Sequence, residues 1–229
     1  MDTMIVFDVD GVLVDVRASY RAAIAATVRE LTGDDVAPAE IQAYKNLGGY
    51  NNDWLLTQRL CADRGMEVPY PEVVARFHAL FFGEAGDGLI AREVWLPRPG
   101  WLAALAARHR LALFTGRSRP ELAVTLGREG CAGLFDPVVT SDDVERGKPA
   151  PDGLLAIRAA AGERARMLFV GDTVDDAGSA AAAGVPFVGV VPPGTASAEA
   201  SRRALAAAGA IAVLADVHEV ERVAGEVWR

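Results

Sequence analysis

The segment that most constrains the fold is the opening one, in which Met4-Ile5-Val6-Phe7 is followed by Asp8-Val9-Asp10-Gly11. The four apolar residues, two of them β-branched, predict a strand that is buried on both faces, as in a parallel sheet. Asp8 then lies at the carboxyl end of this strand, where open α/β sheets bind ligands. Asp8 and Asp10 point the same way along an extended chain, so their repulsion has to be relieved by a cation or a proton. From this stretch alone, a plain Asp-Gly turn is an equally good interpretation.

Composition limits the classes of protein that this chain can be. Of its 229 residues, 51% are apolar, which is enough for a substantial core and argues against disorder. No apolar run approaches the roughly 18 residues of a membrane span, and Asp2 rather than a basic segment precedes the first strand, so we expect a soluble, cytoplasmic protein without a membrane partner. The net charge of −8 argues against nucleic-acid partners. Cys61 and Cys131 predict neither a disulfide nor a zinc site. The sequence does not indicate an oligomeric state.

The order of the apolar segments predicts an α/β fold with an inserted helical domain. Residues 18–82 show helical spacing but no pattern typical of a central strand, whereas short apolar strands and helices alternate after residue 96. Such alternation predicts a Rossmann-like parallel sheet flanked by helices. We therefore expect a core domain formed by residues 1–15 and 96–229 and an α-helical cap domain formed by residues 16–95.

Each of the four predicted core strands is followed by groups suited to phosphate chemistry. These groups are Asp8 and Asp10, Thr115-Gly116-Arg117, Lys148, and Asp172 with Asp175 and Asp176. Parallel connectivity brings all four strand ends to one edge of the sheet. A hydroxyl and a glycine N–H suit an anion, and clustered carboxylates suit a hard divalent cation, which we expect to be Mg²⁺. Lys148 is one of only two lysines in the chain, the other being Lys45.

These motifs, in this order, resemble those of the haloacid dehalogenase (HAD) superfamily, in the phosphoglycolate-phosphatase-like branch whose helical cap is inserted after the first strand. The matching motifs are Asp8-x-Asp10-Gly11-Val12-Leu13, Thr115-Gly116, Lys148-Pro149 and Gly171-Asp172-x-x-x-Asp176. The resemblance covers almost the whole chain. It implies a hydrolase whose catalytic groups lie at the edge of the sheet and whose cap closes over them.

The resemblance implies a role for each residue of the core motifs. Asp8 is expected to be the nucleophile that forms an aspartyl-phosphate, a covalent route open to a carboxylate. Asp10 is expected to protonate the leaving alkoxide and then to deprotonate the attacking water. Thr115 and the Gly116 N–H are expected to hold the phosphoryl group, and Lys148 to neutralise the charge that it shares with Asp8.

The same resemblance implies Mg²⁺ as the cofactor. Its expected ligands are the carboxylates of Asp8 and Asp172 and the main-chain carbonyl of Asp10, with Asp176 acting directly or through water. Asp175 competes with Asp176 for that last role. Haloacid dehalogenases lack the second acidic residue and need no metal, and phosphonate-cleaving relatives also depart there, so Asp10 favours phosphoryl transfer.

The polar run from Lys45 to Trp54 is expected to recognise the rest of the substrate. Lys45, Asn46, Asn51 and Asn52 are the candidates for contacting the leaving group, with Tyr50 or Trp54 as an apolar wall. The alternative is a well-capped loop between helices, anchored by Trp54. The run also resembles that of a HAD subgroup with histidine-biosynthesis-like labels, from which we infer no substrate. Arg117 follows the second motif and is expected either to reach the substrate or to form an exposed salt bridge.

The sequence therefore predicts a Mg²⁺-dependent phosphatase of a small phosphorylated metabolite, acting through an aspartyl-phosphate. A sugar-phosphate mutase on the same fold is the nearest alternative, because the core motifs do not reveal whether the cap excludes water. A regulatory protein that binds a phosphorylated ligand without turnover is an alternative of another class. The complete acidic set argues against it, since a protein that only binds has no need of Asp10.

Overall fold

A parallel sheet with flanking helices forms the centre of the protein. The computed structural model describes residues 3–229. Its strands are β1 (Thr3–Phe7), β2 (Val14–Asp15), β3 (Val94–Trp95), β4 (Arg110–Phe114), β5 (Phe135–Val139), β6 (Arg166–Gly171), β7 (Phe187–Val190) and β8 (Ala212–Leu214). Its α-helices are α1 (Tyr20–Thr32), α2 (Pro38–Leu47), α3 (Asp53–Asp63), α4 (Tyr70–Phe82), α5 (Trp101–Ala106), α6 (Arg119–Glu129), α7 (Asp152–Ala161), α8 (Val174–Ala183), α9 (Ala198–Ala207) and α10 (Val220–Val227).

Six of the strands form one sheet in the order β5-β4-β1-β6-β7-β8, and each adjacent pair is parallel. The central strand β1 is buried along its whole length. Its side chains alternate between two hydrophobic clusters, with Ile5 and Phe7 in one and Met4 and Val6 in the other. A strand that packs against apolar layers on both faces needs a continuous apolar sequence rather than an alternating one. The predicted α/β fold is therefore confirmed.

A short antiparallel ribbon connects the sheet to the inserted helices. Val14 of β2 pairs with Trp95 of β3, and Asp15 pairs with Val94. Between these strands the chain forms helices α1 to α4, and we call residues 16–93 the helical insertion. The predicted boundaries after residue 15 and before residue 96 fall at this ribbon, and the division into two domains stays a prediction. Strands of two residues carry no period, which is why the sequence did not reveal the ribbon.

The helical insertion has an aromatic centre of its own. Helix α1 packs against α3 and α4, and the ring of Tyr20 lies 4.2 Å from that of Phe81 and 6.1 Å from that of Phe77, centroid to centroid. All three residues are buried. Each such aromatic pair contributes about 0.5–1.5 kcal/mol beyond the burial of its area. Within residues 3–229, no helix has both the length and the apolar character needed to cross a membrane.

Helix α2 is longer than the sequence pattern predicts. The pattern indicates a helix that ends near Tyr44 and a loop that begins at Lys45, but the helix continues to Leu47. It ends at Gly48, whose φ of +82° is accessible to glycine and costly for other residues. The prediction that Lys45 and Asn46 lie in a loop is therefore wrong, because both residues form part of the last turn of this helix.

Candidate active site

Parallel strand ends bring the predicted catalytic side chains to one edge of the sheet. The N–H of Asp8 donates to the carbonyl of Val170 at 2.8 Å, and the N–H of Thr115 donates to the carbonyl of Val139 at 3.0 Å. Each of these residues is thus the first beyond its own strand and is still held by the neighbouring strand. Both Asp8 and Thr115 are buried. The register of the sheet therefore fixes where the two side chains lie.

The ammonium group of Lys148 lies between two carboxylates. Its Nζ atom is 2.8 Å from Oδ1 of Asp8 and 2.6 Å from Oδ1 of Asp176. The same atom lies 4.9 Å from the ring centroid of Phe114 and 5.3 Å from that of Phe169. Burial acts to lower the pKa of Lys148, but the two carboxylates outweigh it and raise that pKa. Burial likewise raises the pKa of Asp8 well above its ordinary value, and Lys148 opposes this effect. The lysine stays charged and compensates for the buried carboxylates.

The loop before α7 positions Lys148. The N–H of Ala150 donates to the carbonyl of Gly147 at 3.0 Å, which closes a turn around the lysine. The hydroxyl of Ser179, on α8, donates to the carbonyl of Ala150 at 2.8 Å. A Cβ at Gly178 would lie 2.9 Å from Cβ of Pro149, so the small residue at 178 lets the loop approach the helix. The loop and α8 together hold the lysine over the ends of the strands.

Three carboxylates gather beside this lysine. Asp8, Asp172 and Asp176 each offer an oxygen atom, and these atoms lie within 4.8 Å of one another. Burial and then the nearby Asp176 raise the pKa of Asp172 to about 7. Lys148 contacts only Asp8 and Asp176 of the three. Gly11, with φ of +75°, allows this crowding, because a Cβ there would lie 2.1 Å from Oδ2 of Asp172. The residues present therefore fit a hard divalent cation, which would relieve the remaining repulsion.

The structure separates the two candidate residues at the start of α8. Asp176 belongs to the carboxylate cluster, and its Oδ2 also accepts hydrogen bonds from the N–H and the hydroxyl of Thr173, at 3.0 and 2.6 Å, in a capping box. Asp175 is not part of the cluster. Its Oδ1 accepts a hydrogen bond from the N–H of Gly49 at 2.7 Å and so ties the helical insertion to the core. The spacing Thr-x-x-Asp is a sequence signal for this cap.

Asp10 is held by a buried arginine rather than left free in the cavity. The Nε atom of Arg117 donates to Oδ1 of Asp10 at 3.0 Å, and Nη2 lies 2.7 Å from Oε1 of Glu93. Arg117 is 2% exposed, so the predicted exposed salt bridge is wrong. The guanidinium also lies over the ring of Tyr20, 4.9 Å from its centroid. Its backbone N–H donates to the hydroxyl of Thr115 at 3.2 Å. Arg117 borders the cavity with its polar atoms already engaged by the protein.

The helical insertion closes over the edge of the sheet through Lys45 and Asn51. Lys45 is buried, with its Nζ 2.6 Å from Oδ1 of Asp53 and 3.2 Å from the carbonyl of Asn51. A Cβ at Gly116 would lie 2.7 Å from Nδ2 of Asn51, so the amide of the insertion rests against the backbone of the second motif. Both Lys45 and Asn51 line the cavity that contains Asp8.

The other two asparagines of the run, Asn46 and Asn52, hydrogen-bond to groups of the protein itself. Asn46 accepts hydrogen bonds from Gln42 at 3.0 Å and from Ser201 on α9 at 3.2 Å, and it does not line the cavity. Asn52 borders the cavity but caps α3, because its Oδ1 accepts from the N–H groups of Trp54 and Leu55 at 2.9 and 3.1 Å. Within the run, Lys45 and Asn51 therefore fit the substrate-contact interpretation, whereas Asn46 and Asn52 fit the interpretation as a well-capped loop between helices. Of its two aromatic candidates, Trp54 lines the cavity, whereas Tyr50 packs against Tyr44.

Several residues at the site carry no sequence signal of their own. The cavity has a volume of about 370 Å³. Besides the residues of the motifs it is lined by Tyr20, Arg21, Asp53 and Glu121. The sequence pattern places Tyr20 on the apolar face of a helix and indicates a surface position for the neighbouring Arg21. Their place at the cavity depends on how α1 packs against the core, and a local pattern does not contain that information.

Comparison with known proteins now identifies the family. The model for haloacid dehalogenase-like hydrolases matches residues 3–184. The chain belongs to this family. The resemblance seen in the four motifs is therefore confirmed, and the haloacid dehalogenase-like core accounts for the arrangement of Asp8, Thr115, Lys148 and Asp172 at the strand ends.

Curated relatives include larger and similar-sized members. The chain is 37% identical over 199 residues to an imidazoleglycerol-phosphate dehydratase of Phytophthora nicotianae; the match covers 83% of this chain but only 44% of that protein's length. It is 34% identical over 227 residues to a phosphoglycolate phosphatase of Rhodospirillum rubrum, covering 94% of this chain and 88% of the relative. The match to the phosphoglycolate phosphatase thus covers nearly the whole of this haloacid dehalogenase-like protein and most of the relative.

A solved structure supports the same fold. A conserved haloacid dehalogenase-like protein of unknown function from Agrobacterium tumefaciens superimposes with a TM-score of 0.76 over all of both chains, at 19% sequence identity. At that identity the likeness concerns the fold alone. The arrangement of a parallel core with a helical insertion is thus shared, while the substrate has to be inferred from the residues of this chain.

Proposed function

We propose that this haloacid dehalogenase-like hydrolase is a Mg²⁺-dependent phosphatase that releases phosphate from a small phosphorylated metabolite. The observation that carries the proposal is the pairing of Asp8 with Lys148, at 2.8 Å, beside a carboxylate cluster in the cavity between the strand ends and the helical insertion. The phosphoglycolate phosphatase relative supports the same type of reaction. A cavity of about 370 Å³ is at the small end of the range for ligand sites and suits a metabolite.

Asp8 is the proposed nucleophile. One carboxylate oxygen forms a bond to phosphorus, and the bond between phosphorus and the ester oxygen breaks, so that the phosphoryl group is carried on Asp8. Lys148 supports this step because its ammonium already lies at hydrogen-bond distance from Oδ1 of Asp8. A charge fixed in place before the reaction stabilises a transition state more effectively than one that must reorient.

Asp10 is the proposed proton carrier. It gives a proton to the leaving alkoxide in the first step and takes one from the water that attacks the aspartyl-phosphate in the second. In the structure its carboxylate accepts hydrogen bonds from Arg117. Asp10 therefore has to exchange part of this contact for the substrate oxygen, and the arginine holds it near the position from which it acts.

Thr115 and Gly116 are the proposed cradle for the phosphoryl oxygens. The hydroxyl of Thr115 is buried at the cavity, and Gly116 lines it. A glycine backbone lets an anion approach its N–H closely. The amide of Asn51 lies against the same glycine, so the helical insertion covers the phosphoryl position.

Asp8, Asp172 and Asp176 are the proposed acidic residues of the Mg²⁺ site, with the Asp10 carbonyl as a further ligand. When bound, Mg²⁺ would neutralise negative charge that develops on the transferring phosphoryl group. Oδ2 of Asp176 accepts a hydrogen bond from the hydroxyl of Thr173, and its Oδ1 pairs with the ammonium of Lys148. Asp176 therefore supports the site chiefly by holding the lysine. Within residues 3–229, no hydrogen bond or ion pair engages the Asp172 carboxylate, which leaves it available to bind the cation.

Hydrolysis of p-nitrophenyl phosphate with Mg²⁺, and after removal of divalent cations by a chelator, tests the proposal. We expect turnover that depends on Mg²⁺, that Asp8→Asn abolishes, and that the matched control Asp34→Asn, an exposed aspartate outside the site, retains. Intact-mass analysis after an acid quench should detect a phosphorylated enzyme in the wild type and none in Asp8→Asn. Absence of metal-dependent turnover on any phosphate ester would sink the enzymatic proposal. Formation of an isomer instead of inorganic phosphate from a sugar phosphate would identify a mutase.

A further inference from the structure

Two consecutive residues of the helical insertion present buried polar groups without partners at the catalytic cavity. The Nη1 atom of Arg21 and the hydroxyl of Tyr20 have no hydrogen-bond partner within residues 3–229. Both residues belong to the first turn of α1, and both line the cavity that contains Asp8. A buried donor left unpaired destabilises the fold, because it has lost the hydrogen bonds that it made with water in the unfolded chain. Native proteins retain few such groups, and a ligand is one way to satisfy them.

The charge of Arg21 is not committed to an ion pair in the described part of the chain. The other cations that line the cavity are matched by carboxylates: Lys45 by Asp53 at 2.6 Å, Lys148 by Asp8 at 2.8 Å, and Arg117 by Glu93 at 2.7 Å. Among residues 3–229, Arg21 makes no such contact, and its positive charge acts to lower the pKa of Asp172. Arg21 therefore differs from the other cations that line the cavity, each of which is paired with a carboxylate.

The position of Arg21 assigns it to the leaving group rather than to the phosphoryl group. The groups proposed to hold the phosphoryl moiety, Thr115, Gly116 and Lys148, all come from the core strand ends, whereas Arg21 belongs to the helical insertion. Arg21 also borders a second, largely apolar cavity of about 420 Å³ between the insertion and the core. Arg21 thus lines the catalytic cavity from the side of the helical insertion, and the part of a small substrate beyond its phosphate would face that side.

We propose that Arg21, with the Tyr20 hydroxyl as a second donor, binds an anionic group on the leaving group, either a carboxylate or a second phosphate. The inference rests on the proposed phosphatase function and specifies its substrate class. A guanidinium suits both anions, because its N–H groups match two oxygens at once. Tyr20 supports the assignment, since burial raises the pKa of its phenol and keeps the hydroxyl proton available for donation.

Four phosphate esters with two-carbon alcohols test the proposal: phosphoglycolate, 1,2-ethanediol bisphosphate, ethyl phosphate and phosphoethanolamine. They differ in the end group, which is a carboxylate, a phosphate, a methyl group and an ammonium group respectively. At saturating Mg²⁺ we expect kcat/KM for at least one anionic ester to exceed that for ethyl phosphate about tenfold or more, the size expected for one charge-assisted hydrogen bond. Phosphoethanolamine should be the poorest substrate. Which anionic ester is preferred distinguishes carboxylate from phosphate.

Variants of Arg21 then connect the preference to the residue. Arg21→Gln should bring the ratio of kcat/KM between the anionic ester and ethyl phosphate close to one, Arg21→Lys should restore part of it, and Tyr20→Phe should reduce it less. The control Arg29→Gln, on the same helix with its side chain 69% exposed, should keep the wild-type ratio. Calorimetric titration of the preferred ester into Asp8→Asn, with and without Arg21→Gln, should show about tenfold weaker binding when the arginine is absent.

Two results would overturn the inference while leaving the phosphatase function intact. One is wild-type enzyme that hydrolyses p-nitrophenyl phosphate but does not prefer an anionic ester. The other is an Arg21→Gln variant that loses the same factor on all four esters, which would assign the arginine to Asp172 or to the fold. Failure of the wild type on every ester, p-nitrophenyl phosphate included, would instead overturn the proposed function and the inference with it.

Discussion

The guanidinium of Arg117 joins Asp10, which precedes the helical insertion in the chain, to Glu93, the last residue of that insertion. Its Nε atom is 3.0 Å from Oδ1 of Asp10, and its Nη2 atom is 2.7 Å from Oε1 of Glu93. Thr125 completes the network, because it accepts from Nη1 at 2.6 Å and donates to Oε2 of Glu93 at 2.7 Å. The side chains of Arg117 and Glu93 are 1% and 0% exposed. One buried cation therefore couples the proposed proton carrier to the end of the insertion.

Replacement of Arg117 by Gln should destabilise the protein and reduce turnover together. Glu93 would keep only the partly exposed Arg128, at 3.1 Å, as its cationic partner. Breaking a buried ion pair on one side costs about 3–5 kcal/mol, which urea denaturation can measure. The control Arg119→Gln, whose side chain is 55% exposed, should cost about 0–1 kcal/mol. Equal denaturation midpoints for the two variants would contradict the structural role of Arg117.

A double variant separates the role of Arg117 in stability from its role toward Asp10. Glu93→Gln combined with Arg117→Gln removes both buried charges and should recover part of the lost stability, because neither ion is then left unpaired. It should not recover kcat, since Asp10 still lacks its partner. Recovery of full kcat together with stability would show that the arginine acts only through the fold.

Lys148→Met should lower kcat by roughly two to three orders of magnitude, the range observed when one preorganised charge or donor is removed. The variant leaves Asp8 and Asp176 without their shared ammonium. Lys148→Arg should not restore the activity, because the ammonium lies within 4.9 and 5.3 Å of two buried ring centroids and a planar guanidinium is larger. Steady-state kinetics at saturating Mg²⁺ check both variants. A kcat within threefold of wild type for Lys148→Met would contradict the proposed role of Lys148 in supporting phosphoryl transfer to Asp8.

Gly116→Ala should raise KM by displacing Asn51. A Cβ at position 116 would lie 2.7 Å from Nδ2 of that asparagine, so the amide of Asn51 has to shift away from the second motif. We expect about a tenfold increase in KM, equivalent to about 1.4 kcal/mol. The control is Gly127→Ala: apart from its chain neighbours and its own helix backbone, no atom of residues 3–229 lies within 4 Å of the added Cβ, so KM should be unchanged.

The effects of substitutions at Gly116 and Asn51 on KM should be non-additive in a double-mutant cycle. Asn51→Ala removes the amide that the new methyl group meets, so KM of Gly116→Ala/Asn51→Ala should equal that of Asn51→Ala alone within experimental error. Additive effects on log KM would mean that the methyl group interferes with the phosphoryl position itself rather than with the helical insertion.

The stability contributed by Asp143 should depend on pH in the acidic range. Hydrogen bonds from Arg119 and then Thr140 lower the pKa of Asp143 to about 2. Its folded pKa lies below the unfolded value of about 3.9, so the carboxylate stabilises the fold above pH 4, and this contribution is lost as the pH falls from about 4 toward 2. Asp143→Asn should lower Tm at pH 7 by about 2–4 °C, for a loss of about 1 kcal/mol at a helical cap.

Calorimetry from pH 7 down to the lowest pH at which the wild type still unfolds cooperatively measures this effect. The difference in Tm between wild type and Asp143→Asn should narrow below pH 4, since the wild-type carboxylate is then increasingly protonated in the unfolded chain. A difference that stays constant over that range would mean that the loss comes from altered packing and not from the charge.

The fold and the strand-end groups were predictable because both follow from short-range rules. A strand covered on two faces has to be apolar throughout, as in Met4-Ile5-Val6-Phe7, and the ends of parallel strands meet at one edge. These two rules alone predict that Asp8, Thr115, Lys148 and Asp172 lie together. The sequence also contained the cap that holds Asp176, since Thr173 precedes it by three residues.

The partners of the charged side chains were not predictable in this way. Arg117 and Asp10 are 107 residues apart, and the other groups around this buried arginine, Glu93, Thr125 and the ring of Tyr20, also come from distant or separate elements. Asn46 and Asn51 look alike in the sequence, yet one faces α9 and the other faces Gly116 because helix α2 continues to Leu47. The sequence by itself determined which strands form the sheet and which residues stand at its edge. Only the tertiary structure decided which charges are paired, because burial and long-range contacts, rather than local periodicity, fix where a side chain finds its partner.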